Sequence, residues 1–98
     1  MKRERTYYVY IMTNKGDAVI YIGTTNNLEG RVLQHKRGKI KGFTSKYNVN
    51  KLVYYEEFET AERAIIREKQ LKNWHRQWKM NLIKKHNPTF KDLAKDWD

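Results

Sequence analysis

The chain has 98 residues, enough for one small domain, and its 21 lysines and arginines against 11 acidic residues give a formal net charge of +10. So large an excess favours a polyanionic partner, with nucleic acid ahead of an anionic membrane surface. The lack of cysteine excludes disulfides, thiolate zinc sites and cysteine nucleophiles. No apolar segment has the length of a signal-peptide core or a bilayer span, so we expect a cytoplasmic protein.

The first elements in the chain are predicted to be a β-hairpin and a helix. Thr6 to Met12 and Val19 to Ile22 are rich in tyrosine and β-branched residues, which is typical of strands. Asn14 to Asp17 lies between them and has the composition of a turn. Asn26 or Asn27 can then cap a helix that extends to about position 36.

A basic loop and a third strand follow. Gly38 and Gly42 interrupt the loop, which extends from position 36 to position 46, and Leu52 to Phe58 has the composition of a strand. The basic residues of the loop could hold a phosphate backbone, although a solvated lysine loop would have the same composition. These residues are Lys36, Arg37, Lys39, Lys41 and Lys46.

The next helix is predicted to begin after Thr60, a suitable N-cap. Its apolar positions recur with a period of 3.6 residues, at Ala61, Ala64, Ile65 and Leu71. Glu68 stands in the same stripe, where an apolar side chain is expected. Because burying an unpaired charge is costly, Glu68 requires a cation, either a metal ion or an arginine such as Arg31. A structural salt bridge is as good an explanation as a functional site.

The last long helix is expected to end before Pro88, because the residue before a proline disfavours helix. Trp74 and Trp78 have helical spacing in this region and suit a core better than a base-stacking surface. Phe90 to Trp97 suits a short terminal helix. The predicted order is β-β-α-β-α-α, an α/β fold with helices on a small three-stranded sheet, antiparallel or mixed. We expect one domain, with a core at about 5–86 and an extension at 87–98.

Two tyrosines and two polar helix residues could form a site. If the hairpin turn is centred between positions 15 and 16, Tyr10 faces Tyr21 on one side of the sheet. Arg31 and His35 are four residues apart and share a helix face. On their own, the tyrosines also fit a stacked aromatic pair in the core, and Arg31 and His35 fit solvated surface residues.

The motifs of the chain resemble those of the GIY-YIG nuclease superfamily. Tyr8-Val9-Tyr10 looks like the first motif, with a tyrosine where the family name has glycine, and Tyr21-Ile22-Gly23 matches the second. Arg31, His35 and Glu68 follow in the order and at the helical positions that the family uses. The resemblance covers almost the whole chain and looks closest to the small stand-alone bacterial members, which share the run at 67–72 and the later Asn87-Pro88.

The resemblance implies an endonuclease that hydrolyses phosphodiester bonds in DNA with one divalent metal, in DNA repair or processing and with little sequence specificity. Glu68 would be the protein ligand of Mg²⁺ or Mn²⁺, a cation that keeps most of its waters. Tyr10 would accept the proton of the attacking water and pass its own to His35, while Arg31 stabilises negative charge. Tyr21 would bind the phosphate or the water. The family also has a later asparagine, for which Asn81 is the better placed candidate.

Two alternatives to an autonomous nuclease follow from the same residues. The first is a nucleic-acid-binding module that keeps the fold but cleaves little or nothing. The second is a nuclease that needs a partner protein for substrate choice, which the small size of the chain favours. Because both tyrosines, Arg31, His35 and Glu68 are all present, a nuclease is favoured over a binding module.

Overall fold

The computed structural model describes residues 6–40 and 42–97, and its elements follow the predicted order with one short helix added. The α/β class and the order β-β-α-β-α-α are confirmed, and the added helix lies within the predicted basic loop. Lys41, one of the predicted nucleic-acid contacts, lies outside the described residues. The elements are β1 (Tyr7–Thr13), β2 (Ile20–Thr25), α1 (Leu28–Lys36), α2 (Phe43–Lys46), β3 (Lys51–Phe58), α3 (Ala61–Asn73) and α4 (Arg76–His86).

The three strands form one antiparallel sheet in the order β2-β1-β3, with helices on both faces. Successive side chains of β1 point to opposite faces, as strand geometry requires. Val9 and Ile11 pack on the side of α3 and α4, whereas Tyr10 and Met12 pack on the side of α1. Within the described residues, no helix has the length and apolar character needed to cross a membrane.

The hairpin register differs from the predicted one by two residues. Tyr10 lies opposite Gly23 rather than opposite Tyr21, so the predicted pairing is wrong. The reason is a wider turn, in which the side-chain oxygen of Asn14 accepts the backbone N–H of Val19 at 3.1 Å. Because a shift of two residues preserves the face on which a side chain lies, Tyr21 still shares a face with Tyr10, on the diagonal.

Both predicted helix caps are present. The Asn27 side chain accepts the backbone N–H of Gly30 at 3.1 Å and begins α1. The Thr60 hydroxyl accepts the backbone N–H of Arg63 at 3.2 Å and begins α3. Each cap satisfies a backbone donor that the first turn of a helix leaves without a partner, and so fixes where the functional residues of that helix lie.

The apolar surface of α3 and α4 is only partly buried. Ala64 and Leu71 are buried in the core as predicted, whereas Ala61 and Ile65 are exposed. The prediction of a core position for Trp78 is wrong, because 54% of this residue is exposed. A three-stranded sheet is too narrow to cover a wide apolar stripe on two helices at once, so part of each stripe faces solvent.

The segment after α4 forms turns rather than the predicted terminal helix, and it covers β3. The Asn87 side chain is buried and donates to the Val53 carbonyl at 3.0 Å, beside the irregularity in the β1–β3 pairing. The Asp92 carboxylate accepts the backbone N–H of Leu52 at 3.1 Å. Ala94 is buried in the cluster on the α1 side. Residues 87–97 are therefore packed into the domain and protect one edge of the sheet.

Candidate active site

Four side chains from β1, β2 and α1 meet on one face of the sheet. The Tyr10 hydroxyl lies 3.0 Å from Nε2 of His35. The ring centroid of Tyr21 lies 6.1 Å from that of Tyr10 and 5.3 Å from that of His35. Arg31, one turn before His35 on α1, bonds Gln34 through Nη1 at 3.3 Å. The structure therefore brings together four of the five residues that the sequence analysis selects as catalytic.

The second motif requires a glycine at position 23, because the Tyr10 side chain occupies the space that a larger residue would need. A Cβ atom added to Gly23 would lie 2.7 Å from the Tyr10 hydroxyl oxygen, 2.8 Å from Cζ of the same ring and 3.0 Å from Cε2 of Tyr21. Any larger residue at this position would push the phenol away from His35. Gly23 is thus a site residue that the sequence analysis did not single out, although the motif itself contained the signal.

The side chains in this cluster differ in exposure. Tyr10 is completely buried and His35 nearly so, whereas Tyr21 is partly exposed and Arg31 is exposed. The cluster is therefore a buried phenol–imidazole pair, with a second phenol and a guanidinium towards solvent. Only Tyr21 and Arg31 are open to a ligand that approaches from outside.

Burial sets the protonation of the inner pair. It raises the pKa of Tyr10 well above the usual 10, the Tyr21 phenol adds to this effect, and the Arg31 guanidinium opposes it. Burial also lowers the pKa of His35 from 6.5 to about 4, and the positive charge of Arg31 acts in the same direction. At neutral pH the proton therefore stays on Tyr10, and the imidazole is neutral.

The imidazole of His35 is held through one nitrogen. Its Nδ1 atom is buried and has no hydrogen-bond partner within the described part of the chain. A neutral imidazole has one donor nitrogen and one acceptor nitrogen, so Nε2 can either donate to the Tyr10 oxygen or accept its hydrogen. If Nε2 donates, the Tyr10 hydrogen is free to point elsewhere in the cluster.

Glu68 lies on the other side of the sheet from this cluster. It stands between Ala64 and Leu71 on the side of α3 that packs on the sheet, and its side chain remains 18% exposed. The cation beside it is Lys72, one turn later, at 2.9 Å. The strand β2, which carries Tyr21, is an edge strand of the sheet, and α3 packs against it from the other side.

The remaining predicted residues have varied surroundings. Asn81 is exposed on α4 and accepts from the Gln77 side chain at 2.9 Å. Lys36 pairs with Asp92 across the α1 side, which ties it to the segment that covers β3. Arg37, Lys39 and Lys46 are exposed, at or after the C-terminal ends of α1 and α2.

No group of three or more histidine, aspartate or glutamate side chains that could hold a metal ion occurs in residues 6–40 and 42–97. The described part of the chain thus provides no cage of protein ligands. The donors present fit a hard cation that binds one carboxylate and keeps water or phosphate at its other positions, which is the usual behaviour of Mg²⁺.

Comparison with known proteins identifies relatives of the chain. The GIY-YIG catalytic domain matches residues 6–81. A UPF0213 protein of Clostridium perfringens is 42% identical over 76 residues, which are 78% of this chain and 81% of that protein. A UPF0213 protein of Staphylococcus haemolyticus is 38% identical over 77 residues, 79% of this chain and 93% of that protein. The solution NMR structure of a UPF0213 protein from Bacillus halodurans matches with a TM-score of 0.57 and 25% identity, covering 93% of this chain and 97% of that one.

Proposed function

The chain belongs to the GIY-YIG nuclease family, and on that premise we propose that it is a metal-dependent endonuclease that cleaves DNA with little sequence specificity. The observation that supports this most is the convergence of Tyr10, Tyr21, Arg31 and His35 on one face of the sheet. A net charge of +10 supports a polyanionic substrate.

The exposed members of the cluster suit the binding of a phosphodiester. In our proposal the Arg31 guanidinium donates to two oxygens of the phosphate, a geometry that suits a planar fork of donors. The Tyr21 hydroxyl bonds the phosphate or the attacking water. The fixed positive charge of Arg31 would then stabilise the negative charge that increases on the phosphate oxygens in the transition state.

Burial supports different roles for the two tyrosines. The family resemblance implies that Tyr10 accepts the proton, but this phenol is buried away from solvent and its pKa is raised. We therefore assign contact with the attacking water to Tyr21, next to Arg31. Tyr10 is assigned the role of a positioning residue that fixes the imidazole of His35, which in turn contacts the Tyr21 ring.

The proposed metal ligand is Glu68, the carboxylate on the α3 side of the β2 edge. A bound Mg²⁺ or Mn²⁺ would supply positive charge at the leaving oxygen. Lys72 is 52% exposed, so its side chain can move away from Glu68 into solvent when another cation competes for the carboxylate. For Glu68 and Arg31 to act on the same phosphodiester, the bound strand has to lie at the edge of the sheet that β2 forms.

A plasmid-nicking assay with Mg²⁺, with Mn²⁺ and with EDTA tests this proposal. We expect nicking with either metal and none with EDTA. Glu68→Gln, Arg31→Ala and Tyr21→Phe should each lower the rate by about 100-fold or more, because each removes a group that acts on the transition state. Tyr10→Phe should lower it less, since Tyr10 is buried and acts on the substrate only through its hydrogen bond to His35.

Matched substitutions outside the site provide the controls. Glu62→Gln alters an exposed glutamate on α3, the helix of Glu68, and Tyr55→Phe alters an exposed tyrosine on β3. For both variants we expect nicking rates within twofold of the wild type. Wild-type activity in Glu68→Gln would refute the metal site, and wild-type activity in Tyr21→Phe would refute the assignment of the tyrosines. Salt-dependent binding without cleavage in any metal would favour a binding module, for which the resting Glu68–Lys72 pair is a supporting observation.

A further inference from the structure

A surface cleft on α4 has features that the proposed active site does not use. The cleft is about 290 Å³ in volume and is lined by Trp74, Trp78, Asn81, Leu82 and Lys85. It combines an apolar floor with an amide and an ammonium group. These groups lie on the α3 and α4 side of the sheet, opposite the face that holds the tyrosine cluster.

Trp78 is unusual within this cleft, because its large aromatic side chain packs against neighbouring rings and still remains exposed to solvent. It is 54% exposed. Trp74 meets it nearly at right angles with ring centroids 5.9 Å apart, and His75 does so at 5.5 Å. The Arg67 guanidinium lies 5.3 Å from the centre of the Trp74 ring and supports it from α3. An indole that is already ordered loses little conformational entropy when a flat ligand stacks on it.

The chain segment that forms most of the cleft is basic. Residues 69–91 contain no aspartate or glutamate and seven lysines and arginines. Most of the net charge of +10 is therefore carried by this stretch, which includes the whole of α4. The basic residues are Lys69, Lys72, Arg76, Lys79, Lys84, Lys85 and Lys91.

We propose that the cleft on α4 binds an unpaired nucleotide, whose base stacks on Trp78 and whose phosphate lies near Lys85. A flat aromatic surface within a cationic region is the arrangement with which proteins hold single-stranded nucleic acid, since every base has a face that can stack. A basic protein partner is disfavoured by the charge of the region, and an apolar partner would leave Lys85 and the Asn81 amide poorly paired. The inference rests on the proposed function in one respect, because it makes single-stranded or branched DNA the preferred substrate class.

Binding in EDTA tests this inference without any cleavage. We would measure fluorescence anisotropy of a labelled single-stranded oligonucleotide, of an abasic strand of the same length, and of a duplex. For Trp78→Ala we expect affinity for the normal strand to fall about tenfold, and affinity for the abasic strand and the duplex to change by less than twofold. Trp78→Phe, which keeps a ring, should restore most of the loss.

Three further substitutions separate the contribution of base stacking from that of charge. Ile66→Ala removes another exposed apolar side chain, 62% exposed on α3, and should leave all three affinities unchanged. Lys85→Ala should weaken every ligand and reduce the salt dependence by about one counterion. Lys95→Ala, which lies between Asp92 and Asp96, should not change the salt dependence.

Several results of these binding measurements would overturn the proposed stacking site, and none of them depends on catalysis. Equal loss on all three ligands, no loss on any, or wild-type protein that binds normal and abasic strands equally would overturn the stacking site. Sedimentation of the protein alone would overturn it too, if Trp78→Ala converted a dimer to a monomer, because the cleft would then belong to a second copy. A protein that stacks bases in EDTA but never nicks DNA would keep this site and refute the proposed nuclease activity.

Discussion

The substitution Gly23→Ala is a direct test of how the second motif builds the site. The added methyl would lie 2.7 Å from the Tyr10 hydroxyl oxygen and 2.8 Å from its Cζ atom. Ordinary contacts begin at about 3.4 Å, so the phenol or the β2 backbone would have to move by about 0.7 Å. Tyr10 is completely buried and bonded to His35, so it has no open direction in which to turn. Overpacking of this kind costs about 1–3 kcal/mol.

Two assays should report the change together. Chemical denaturation should show a loss of about 1–3 kcal/mol in the free energy of unfolding, and the nicking rate should fall by more than tenfold because the site is misaligned. Gly16→Ala in the same hairpin is the matched control, since a Cβ there meets nothing within 4 Å. If Gly23→Ala lay within about 0.5 kcal/mol of Gly16→Ala, the packing argument would be refuted.

Two further predictions concern stability. Asn87→Ala leaves the Val53 carbonyl buried without its donor and should cost about 1–3 kcal/mol in a denaturant titration, whereas Asn81→Ala, which alters an exposed residue, should cost less than about 0.5. The pKa of His35 falls from 6.5 to about 4 on folding, so the unfolded chain binds more protons between these values. The stability contributed by neutral His35 is therefore complete above pH 6.5 and decreases by about 3 kcal/mol as the pH falls to 4. His35→Gln should remove this pH dependence, and an unchanged slope would contradict the burial argument.

The order of the elements could be predicted from the sequence because local signals determine it. The caps at Asn27 and Thr60 and the alternation along β1 act over a few residues and need no knowledge of the tertiary structure. The hairpin register could not be predicted in the same way. It depends on how the Asn14 side chain bridges the turn, and a change of one residue in the turn centre moves every cross-strand pair by two positions.

The candidate site was predictable to the extent that its residues form motifs. Helical spacing places Arg31 and His35 together, and the even shift in register keeps Tyr21 on the face of Tyr10. Exposure could not be predicted, because it depends on how widely a three-stranded sheet covers its helices. This is why Trp78 is open to solvent despite its helical spacing with Trp74, and why the burial of Tyr10 is evident only in three dimensions.

The protonation of the buried pair limits which catalytic steps are possible. Burial raises the pKa of Tyr10 above its usual value of 10 and lowers the pKa of His35 to about 4. Moving the phenol proton to the imidazole in the resting site is therefore unfavourable, because burial disfavours the charged form of both groups. A relay from Tyr10 to His35 would have to overcome this cost before any bond to phosphorus is broken. A stable, neutral pair that orients Tyr21 has no such cost. The energetics thus favour Arg31 and Tyr21 as the groups that meet the substrate, with Tyr10 and His35 as their support.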